Sequence, residues 1–322
     1  MNILANDGIS PSGLKAIKEA GHNLTTDFIA ADKLEAYINE NKIDGVLVRS
    51  ATKIRQSLMD ACPTLKFVGR GGVGMDNIDV QYGREKGLII FNTPAASSQS
   101  VAELVMGHLF SLSRSVHSSN RTMPLEGAEE FKSLKKAYGK GFELRGKTLG
   151  ILGFGRIGRS LASYALGCGM KVIAADNQAT NGNVELEING NIISVDCPLI
   201  PMEDLLKESD MVSLHTPAQA DGRAVIGEAQ FKLMKQGAFL INAARGGIVD
   251  EDALLSALNS GKLGGAALDV FVGEPSPRED ILSHPAISLT PHTGAATSEA
   301  QDRIGLELAS QIAEIASEQL YS

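Results

Sequence analysis

Cysteine is scarce in this sequence and tryptophan is absent. The 322 residues include only Cys62, Cys168 and Cys197, which are far apart and form no CxxC pair. An odd number of scattered thiols disfavours a disulfide framework and a cysteine-based metal site, so we predict no metal. Unpaired thiols are typical of a reducing compartment, and we therefore expect a cytoplasmic protein.

Long apolar runs and an excess of positive charge are also lacking. No segment approaches the roughly 20 apolar residues that cross a bilayer, and the N-terminus has no basic stretch before an apolar one. The formal net charge is -8, whereas nucleic-acid binding needs a basic surface. Neither a membrane nor a nucleic acid is therefore expected as a partner, and the length favours two globular domains.

Short apolar runs alternate with helical patterns along the whole chain. Strands are predicted at residues 2–5, 45–48, 65–68 and 88–91, and again at 148–152, 171–175, 211–214, 239–242, 265–270 and 288–289. Helices are predicted from Pro11 to about Ala20, over 98–113 and from about Arg156. Such alternation is typical of parallel sheets whose strands are joined by helices. The pattern predicts an α/β protein with two βαβ series.

A glycine-rich loop follows the first strand of the second series. Gly153, Gly155 and Gly158 fit the pattern GxGxxG, and Asp176 ends the next predicted strand 18 residues after Gly158. Such glycines permit a tight turn, close approach of a pyrophosphate and close helix packing, while the acid can bond the ribose hydroxyls. We predict an NAD site. NADP is disfavoured because Asp176 would repel a 2′-phosphate and residues 172–206 contain no Lys or Arg.

A second match to the glycine pattern, at 69–74, lacks the acid. Asn92 stands 18 residues after Gly74, and residues 75–79 look like a loop rather than the start of a helix. We assign no second dinucleotide there. A glycine loop with exposed amides still suits an anion.

Residues 177–199 interrupt the second series. Two β-rich runs, 184–188 and 192–195, flank Asn189-Gly190. Asn-Gly between such runs strongly favours a two-residue hairpin turn. We predict an inserted β-hairpin, and the sequence leaves open whether it covers the adenosine end of the cofactor or contributes to a dimer.

Three polar loops follow predicted strands of the second series, and they contain Arg245, Glu274 and His292. Loops after parallel strands emerge at one edge of the sheet, so these side chains are expected to converge. A histidine can take the hydroxyl proton when a 2-hydroxy acid is oxidised, and a carboxylate on its other ring nitrogen fixes the tautomer. An arginine can grip the substrate carboxylate. The hypothesis is His292 as acid and base, Glu274 as its orienter and Arg245 as the anchor.

At these positions the sequence resembles the D-2-hydroxy-acid dehydrogenase family. The likeness extends from Gly45 to at least Gln301, with motifs at 147–158, 244–251, 265–271 and 291–295. The resemblance implies that Arg245, Glu274 and His292 are catalytic.

The resemblance also implies an α/β fold of two doubly wound parallel-sheet domains with the active site in their cleft. A flavodoxin-like substrate domain would comprise residues 1–98 and 296–322, and a Rossmann cofactor domain residues 99–295. The cofactor domain's first helix would begin near Val101, and the last helix, near 297–317, would return to the first domain.

Further contacts are implied by the same likeness. Asp269 would bond the nicotinamide amide, and the backbone of residues 72–74 would bind the substrate carboxylate. The predicted cofactor-binding residues are Val73, Gly153, Gly155, Arg156, Ile157, Gly158, Asp176, His215, Thr216, Pro217, Ala243, Ala244, Arg245, Asp269, His292, Gly294 and Ala295. The predicted substrate-binding residues are Arg49, Ser50, Arg70, Gly72, Val73, Gly74, Arg245 and His292.

Residues 48–53 and 67–71 resemble the phosphoglycerate dehydrogenase branch of the family, which implies oxidation of D-3-phosphoglycerate in serine biosynthesis. Arg49 and Arg70 follow or end predicted strands, where they could meet the substrate phosphate. The likeness implies dimers through the cofactor domain. It also suggests that Lys135 and Lys136 of a partner subunit contribute to the phosphate site. Because the chain ends at Ser322, we expect no C-terminal regulatory domain and no serine feedback through one.

Two alternatives remain open from the sequence. The first is another enzyme of the family, such as a glyoxylate or hydroxypyruvate reductase or a phosphoerythronate dehydrogenase. The second is an NAD-sensing binding protein of the same fold. Substrate preference distinguishes the enzymes, and turnover distinguishes all of them from a sensor.

Overall fold

A computed structural model of the chain describes residues 1–219 and 221–321. The chain divides into two compact units. Unit 1 comprises Met1–Ser98 and the residues from Ala295 onward, and unit 2 comprises Gln99–Gly294. Within the described residues, no helix combines the length and apolarity needed to cross a membrane.

Unit 1 begins with nine elements that alternate strand and helix. They are β1 (Asn2–Ala5), α1 (Pro11–Glu19), β2 (Asn23–Thr25), α2 (Ala31–Glu40), β3 (Gly45–Val48), α3 (Gln56–Ala61), β4 (Phe67–Arg70), α4 (Val80–Glu85) and β5 (Ile89–Asn92). The strands form a parallel sheet in the order β2-β1-β3-β4-β5. This is the flavodoxin-like order, as predicted.

Unit 2 contains a second parallel sheet and its helices. Its elements are α5 (Ser98–Ser113), α6 (Val116–Glu126), α7 (Phe131–Tyr138), β6 (Thr148–Leu152), α8 (Arg156–Gly167), β7 (Lys171–Ala175), β8 (Asn183–Ile188), β9 (Asn191–Asp196), α9 (Met202–Glu208), β10 (Met211–Leu214), α10 (Glu228–Leu233), β11 (Ala238–Asn242), α11 (Glu251–Asn259), β12 (Leu263–Leu268), α12 (Glu279–Leu282) and β13 (Ile287–Leu289). The sheet order is β13-β12-β11-β10-β6-β7.

A short extra pairing completes this second sheet. Leu199 forms a parallel bridge with Ala174 of β7. The Ala174 amide donates to Pro198 O, and the Ile200 amide donates to Ala174 O, both at 2.9 Å. This segment can be counted as a strand beside β7. If the strands are numbered along the chain with β6 as the first, their order across the sheet is 3-2-1-4-5-6, which is the Rossmann arrangement. Strand β13 is added at the edge beside β12.

The predicted hairpin is confirmed, and it occupies the connection between β7 and the Leu199 segment. β8 and β9 pair antiparallel, with Ile188 opposite Asn191. The turn residues Asn189 and Gly190 have φ values of 51° and 77°, as a two-residue turn with two left-handed positions requires. Val184 and Leu186 are buried in the same apolar core as helices α5 and α8. The hairpin is therefore packed onto unit 2 along one face.

The final helix, α13 (Ser298–Tyr321), packs in unit 1 as predicted. Its residues Ile304, Leu308 and Ile312 are buried in one core with Ile3 and Ile17. This packing closes one face of the first sheet, while a separate apolar cluster covers the other. Parallel sheets are normally covered on both faces in this way.

Candidate active site

The glycine loop between β6 and α8 is shaped by close backbone contacts. Gly153 has a φ of +96°, and a Cβ there would lie 2.5 Å from His215 O. A Cβ on Gly158 would lie 2.3 Å from Gly153 O. Gly155, by contrast, faces open space and is exposed. Two glycines are therefore needed for packing, and the third leaves the backbone accessible, as a pyrophosphate would require.

Asp176 follows β7 and lies beside this loop. One carboxylate oxygen accepts the Phe154 amide at 2.6 Å, and the other accepts the Gln178 and Ala179 amides at 2.6 and 2.8 Å. Partial burial raises the pKa of Asp176. The three amides and the charge of Arg159 together lower the pKa by more than burial raises it, so the net shift is downward. Asp176 is therefore a fixed anion at the end of the glycine loop.

Arg159 is a cation near Asp176, although the sequence analysis expected none there. No cation occurs between residues 172 and 206, yet α8 brings the Arg159 guanidinium near Asp176. This guanidinium lies 4.8 Å from the centre of the Phe154 ring. It donates to Asn181 O at 2.7 Å and also bonds Asn183 O. The arginine comes from an element that precedes the window, so reading that window alone misses it.

His215 follows β10 and packs against the glycine loop. Its amide donates to Leu152 O at 2.7 Å, and its Nε2 lies 2.9 Å from Ser213 Oγ. Burial lowers the pKa of His215 to about 4, so the ring is neutral at pH 7. The two residues that follow it, Thr216 and Pro217, are half-buried and exposed respectively. This segment therefore forms one wall beside Gly153.

Glu274 and His292 are brought together as predicted. His292 Nδ1 lies 2.8 Å from Glu274 Oε2, and the other carboxylate oxygen accepts the Phe271 amide at 2.8 Å. The exposed fractions of the two side chains are 45% and 34%. The pair is thus ordered yet accessible to a ligand, and the carboxylate directs the proton of the neutral ring to Nδ1.

Arg245 lies in the loop after β11. The Asn242 side chain donates to Arg245 O at 2.9 Å and accepts the Ala244 amide at 3.1 Å. A Cβ on Gly246 would lie 2.1 Å from Phe271 O. The loop that carries Arg245 therefore packs directly on the turn that carries Glu274.

Asp269 accepts hydrogen bonds from the residues on both sides of His292. The residue is 1% exposed. Oδ1 accepts the Thr290 hydroxyl at 2.6 Å and the Thr293 amide at 2.8 Å, and Oδ2 accepts the Gly294 amide at 2.9 Å. Strand β12 ends at Leu268, two residues before the predicted end, because Asp269 turns into these contacts.

Glu251, at the start of α11, is a further residue of this region that the sequence argument missed. It is 8% exposed, and its Oε1 accepts the Val272 amide at 2.9 Å. It therefore supports the turn between Phe271 and Glu274. A charged residue at a helix start ordinarily indicates a cap, so the pattern gave no sign of this contact.

Unit 1 presents two arginines at its own glycine loop. Gly72 has a φ of +135°, and a Cβ there would lie 1.8 Å from Arg70 Nη1. A Cβ on Gly71 would lie 3.7 Å from Arg49 Cγ. Both arginine side chains therefore lie against the loop, and Ser50 beside them is exposed.

The amide of Gly72 is used within the chain. It donates to the buried hydroxyl of Thr93 at 2.7 Å, whereas the likeness assigns it to a substrate carboxylate. One amide hydrogen makes one good bond, so this amide is engaged within the chain here, and the role of Gly72 stays a prediction. Val73 and Gly74 supply the other two predicted amides.

The remaining predicted residues lie in both units. Arg156 is exposed at the start of α8, Ile157 is half-buried, and Ala243 and Ala244 follow β11. Ala295 belongs to unit 1, where its carbonyl accepts the Gln301 side chain at 2.7 Å. Lys135 and Lys136 are exposed on α7.

Residues 106–294 match the family model described as D-isomer specific 2-hydroxyacid dehydrogenase, NAD binding domain. A hydroxypyruvate reductase from Thermotoga maritima is 42% identical over 293 residues, which are 90% of this chain and 89% of that protein. A D-3-phosphoglycerate dehydrogenase from Methanocaldococcus jannaschii is 37% identical over 98% of this chain, but this chain spans only 57% of that protein. A solved D-lactate dehydrogenase from Aquifex aeolicus, complexed with NAD and lactic acid, is 27% identical with a TM-score of 0.79, covering 100% of this chain and 97% of that one.

Proposed function

The chain belongs to the D-isomer specific 2-hydroxyacid dehydrogenase family and contains its NAD-binding domain, and on that premise we propose that it oxidises D-3-phosphoglycerate to 3-phosphohydroxypyruvate. The observation that carries the proposal is the 2.8 Å contact between His292 and Glu274. It supplies a proton acceptor whose tautomer is set by a carboxylate, which is what oxidation of a hydroxyl group needs.

Each member of the proposed catalytic set has a distinct task. His292 Nε2 takes the substrate hydroxyl proton, and Glu274 stabilises the imidazolium that forms. Arg245 pairs with the substrate carboxylate. A bound NAD would supply the acceptor for the hydride that leaves the substrate carbon. In the reverse direction, the protonated His292 returns its proton to the oxygen of the oxo acid.

The cofactor end supports NAD rather than NADP. Asp176 is already an anion fixed by three amides, and it is proposed to accept the adenosine ribose hydroxyls. A 2′-phosphate at that position would meet a like charge. Arg159 offsets part of this repulsion, but its guanidinium is committed to the backbone oxygens of Asn181 and Asn183.

The substrate assignment rests on unit 1. Arg49 and Arg70 lie against one glycine loop, and two guanidinium groups suit an acid that carries a second anionic group. The amides of Val73 and Gly74 are proposed to bind the carboxylate. D-3-phosphoglycerate has both a carboxylate and a phosphate, so it uses both features.

Reduction of hydroxypyruvate to D-glycerate is a second candidate. It is favoured by the likeness to the Thermotoga hydroxypyruvate reductase, which extends along most of both chains. The two reactions share a three-carbon skeleton and differ in the phosphoryl group on C3. The same proton chemistry at His292 serves both, so only the contacts to C3 distinguish them.

We further propose a homodimer. Large apolar side chains are exposed on consecutive helices α5, α6 and α7, and they are Phe110, Val116, Met123, Leu125 and Phe131. Such a patch marks an interaction surface on a folded chain. Lys135 and Lys136 on α7 would then lie near the partner subunit. A cytoplasmic location stays a prediction.

Kinetics of an arginine variant test the substrate proposal. Arg49→Ala should raise the KM for D-3-phosphoglycerate at least about tenfold, since a charged hydrogen bond is worth about 1.5–3 kcal/mol, and should change rates with D-glycerate or hydroxypyruvate by less than about threefold. Lys53→Ala, which removes an exposed cation nearby, is the matched control. Equal losses with phosphorylated and unphosphorylated acids would reject the phosphate contact and favour the reductase.

A further inference from the structure

A buried histidine lies behind the His292 loop. His108 is on helix α5 and is 4% exposed. Its Nδ1 lies 2.9 Å from Ser288 Oγ, and its Nε2 lies 3.1 Å from Thr290 Oγ1. Both partners belong to β13 or to the residue that follows it. The ring therefore connects α5 to the strand from which the His292 loop departs.

The hydrogen bonds in this cluster have defined directions. The single hydroxyl hydrogen of Thr290 is donated to Asp269 Oδ1 at 2.6 Å. Thr290 Oγ1 must then accept from His108, so the proton of the neutral ring is on Nε2. Nδ1 is left as an acceptor, and the Ser288 hydroxyl donates to it. Burial lowers the pKa of His108, the Asp269 charge opposes that shift, and His117 adds to it, which is consistent with a neutral ring.

The chain of bonds continues to the backbone beside His292. Asp269 accepts the amides of Thr293 and Gly294, the two residues that follow His292. Helix α5 also reaches this loop directly, because the Ser100 hydroxyl donates to Gly294 O at 2.5 Å. The loop is thus held from α5 at two points, Ser100 and His108.

We propose that His108 is a positioning residue that orients the His292 loop through Thr290 and Asp269. The inference rests on the proposed function, because it gives His292 its role in proton transfer. His108 is 4% exposed, so its proposed role runs through the residues it contacts. It fixes the direction of the Thr290 hydroxyl, which fixes the Asp269 carboxylate, and the carboxylate in turn holds the two amides next to His292.

Two amide substitutions separate this role from simple packing. In His108→Gln, the side-chain NH₂ stands near the position of Nε2 and can still donate to Thr290. In His108→Asn, the shorter amide reaches only the position of Nδ1, beside Ser288. Both variants bury a neutral amide on the same helix. The positioning role therefore predicts that Gln rescues function and Asn does not.

Hydrogen exchange of the segment containing Thr293 and Gly294 is the primary measurement, because it does not depend on turnover. Exchange of these amides should be at least tenfold faster in His108→Asn than in His108→Gln, which should resemble the wild type. In the same preparations, kcat should fall about tenfold or more in the Asn variant and less than threefold in the Gln variant. His117→Asn, a half-buried histidine outside the chain of bonds, should change neither.

A second pair of variants guards against failure to fold. Thr290→Val removes the hydroxyl at nearly constant shape, and Thr290→Ser restores it. Faster exchange of the Thr293 and Gly294 amides in Thr290→Val than in Thr290→Ser supports the proposal. Equal exchange in Val and Ser, or in the Gln and Asn variants of His108, would overturn it. If exchange follows the prediction but the wild type has no dehydrogenase activity, the loop inference stands and the proposed function fails.

Discussion

His292 has a φ of +55°, a backbone conformation that residues other than glycine rarely adopt and that costs of the order of 1 kcal/mol or more. Hydrogen bonds offset this cost. The His292 amide donates to Thr290 O at 3.1 Å, and the next two amides bond Asp269. Since Glu274 holds the ring, both the backbone and the side chain of His292 are oriented before any ligand binds.

Replacing Glu274 by Gln should abolish the correct tautomer while preserving shape. The Phe271 amide needs an acceptor, so the Gln oxygen stays there and its NH₂ faces His292 Nδ1. A donor at Nδ1 forces the ring proton onto Nε2, which can then no longer accept a proton. We expect kcat to fall about 100-fold or more. Steady-state kinetics measure this, with the exposed Glu279→Gln as control, and a loss of less than threefold would contradict it.

His215 makes folding stability depend on pH. Burial lowers its pKa from 6.5 to about 4. Above pH 6.5 the ring is neutral in both states, and its contribution to stability is fully present. Between pH 6.5 and 4 the unfolded chain binds a proton that the folded chain does not, so the free energy of unfolding falls by roughly 3 kcal/mol.

Denaturant unfolding at pH 7 and pH 4.5 tests this contribution. His215→Gln, which cannot titrate, should lose less stability between the two pH values than the wild type does. Burial also lowers the pKa of His108, so the variant should keep part of the slope. Identical losses in variant and wild type would show that His215 titrates normally in the folded chain.

At the scale of elements, we expect the β6–α8–β7 unit to determine the preference between NAD and NADP. Asp176→Asn removes the charge that would repel a 2′-phosphate while Arg159 remains nearby. The ratio of kcat/KM for NADP to that for NAD should rise at least about tenfold, which corresponds to about 1.4 kcal/mol. Asp196→Asn, on the exposed edge of β9, should leave the ratio unchanged. An unchanged ratio in the Asp176 variant would mean that this carboxylate does not contact the adenosine ribose.

Sequence pattern predicts the elements best where an apolar run is continuous. β1, β3, β6, β7 and β10 have the predicted bounds because each is buried along nearly its whole length. The bounds of β4 and β12 differ by two residues from the prediction, since hydrophobicity does not indicate where pairing starts. β2 has three residues with no buried position, so its pattern gives no signal.

The candidate site could be predicted only in part for a related reason. Loops after parallel strands share one edge, which is enough to expect that Glu274 and His292 meet. Arg159, Glu251 and His108 act through contacts with residues distant in sequence, and His108 meets Ser288 180 positions away. A buried histidine on an apolar helix has no spacing that reveals its partners, so only the folded chain identifies it.

At the scale of the whole molecule, the proposed homodimer rests on the exposed apolar side chains of α5 to α7. Leu125 and Phe131 are 83% and 58% exposed. Leu125→Glu together with Phe131→Glu should convert a dimer to a monomer in light scattering, because charged groups disfavour burial in an apolar interface. Ile192→Glu at the hairpin, where the side chain is 70% exposed, should leave the mass unchanged. A monomeric wild type, or dissociation by the hairpin variant instead, would contradict this assignment.

The most direct test of the central claim is the rate of NADH formation by the purified protein with D-3-phosphoglycerate, D-glycerate and L-glycerate, measured for the wild type and for His292→Asn. We predict turnover of a D acid but not of the L acid, and a fall in kcat of about 100-fold or more in the variant, which should still bind NADH. A variant as active as the wild type would reject His292 as the proton acceptor. A wild type that binds NADH but turns over neither D acid, nor hydroxypyruvate in reverse, would contradict the enzyme assignment and indicate a sensor.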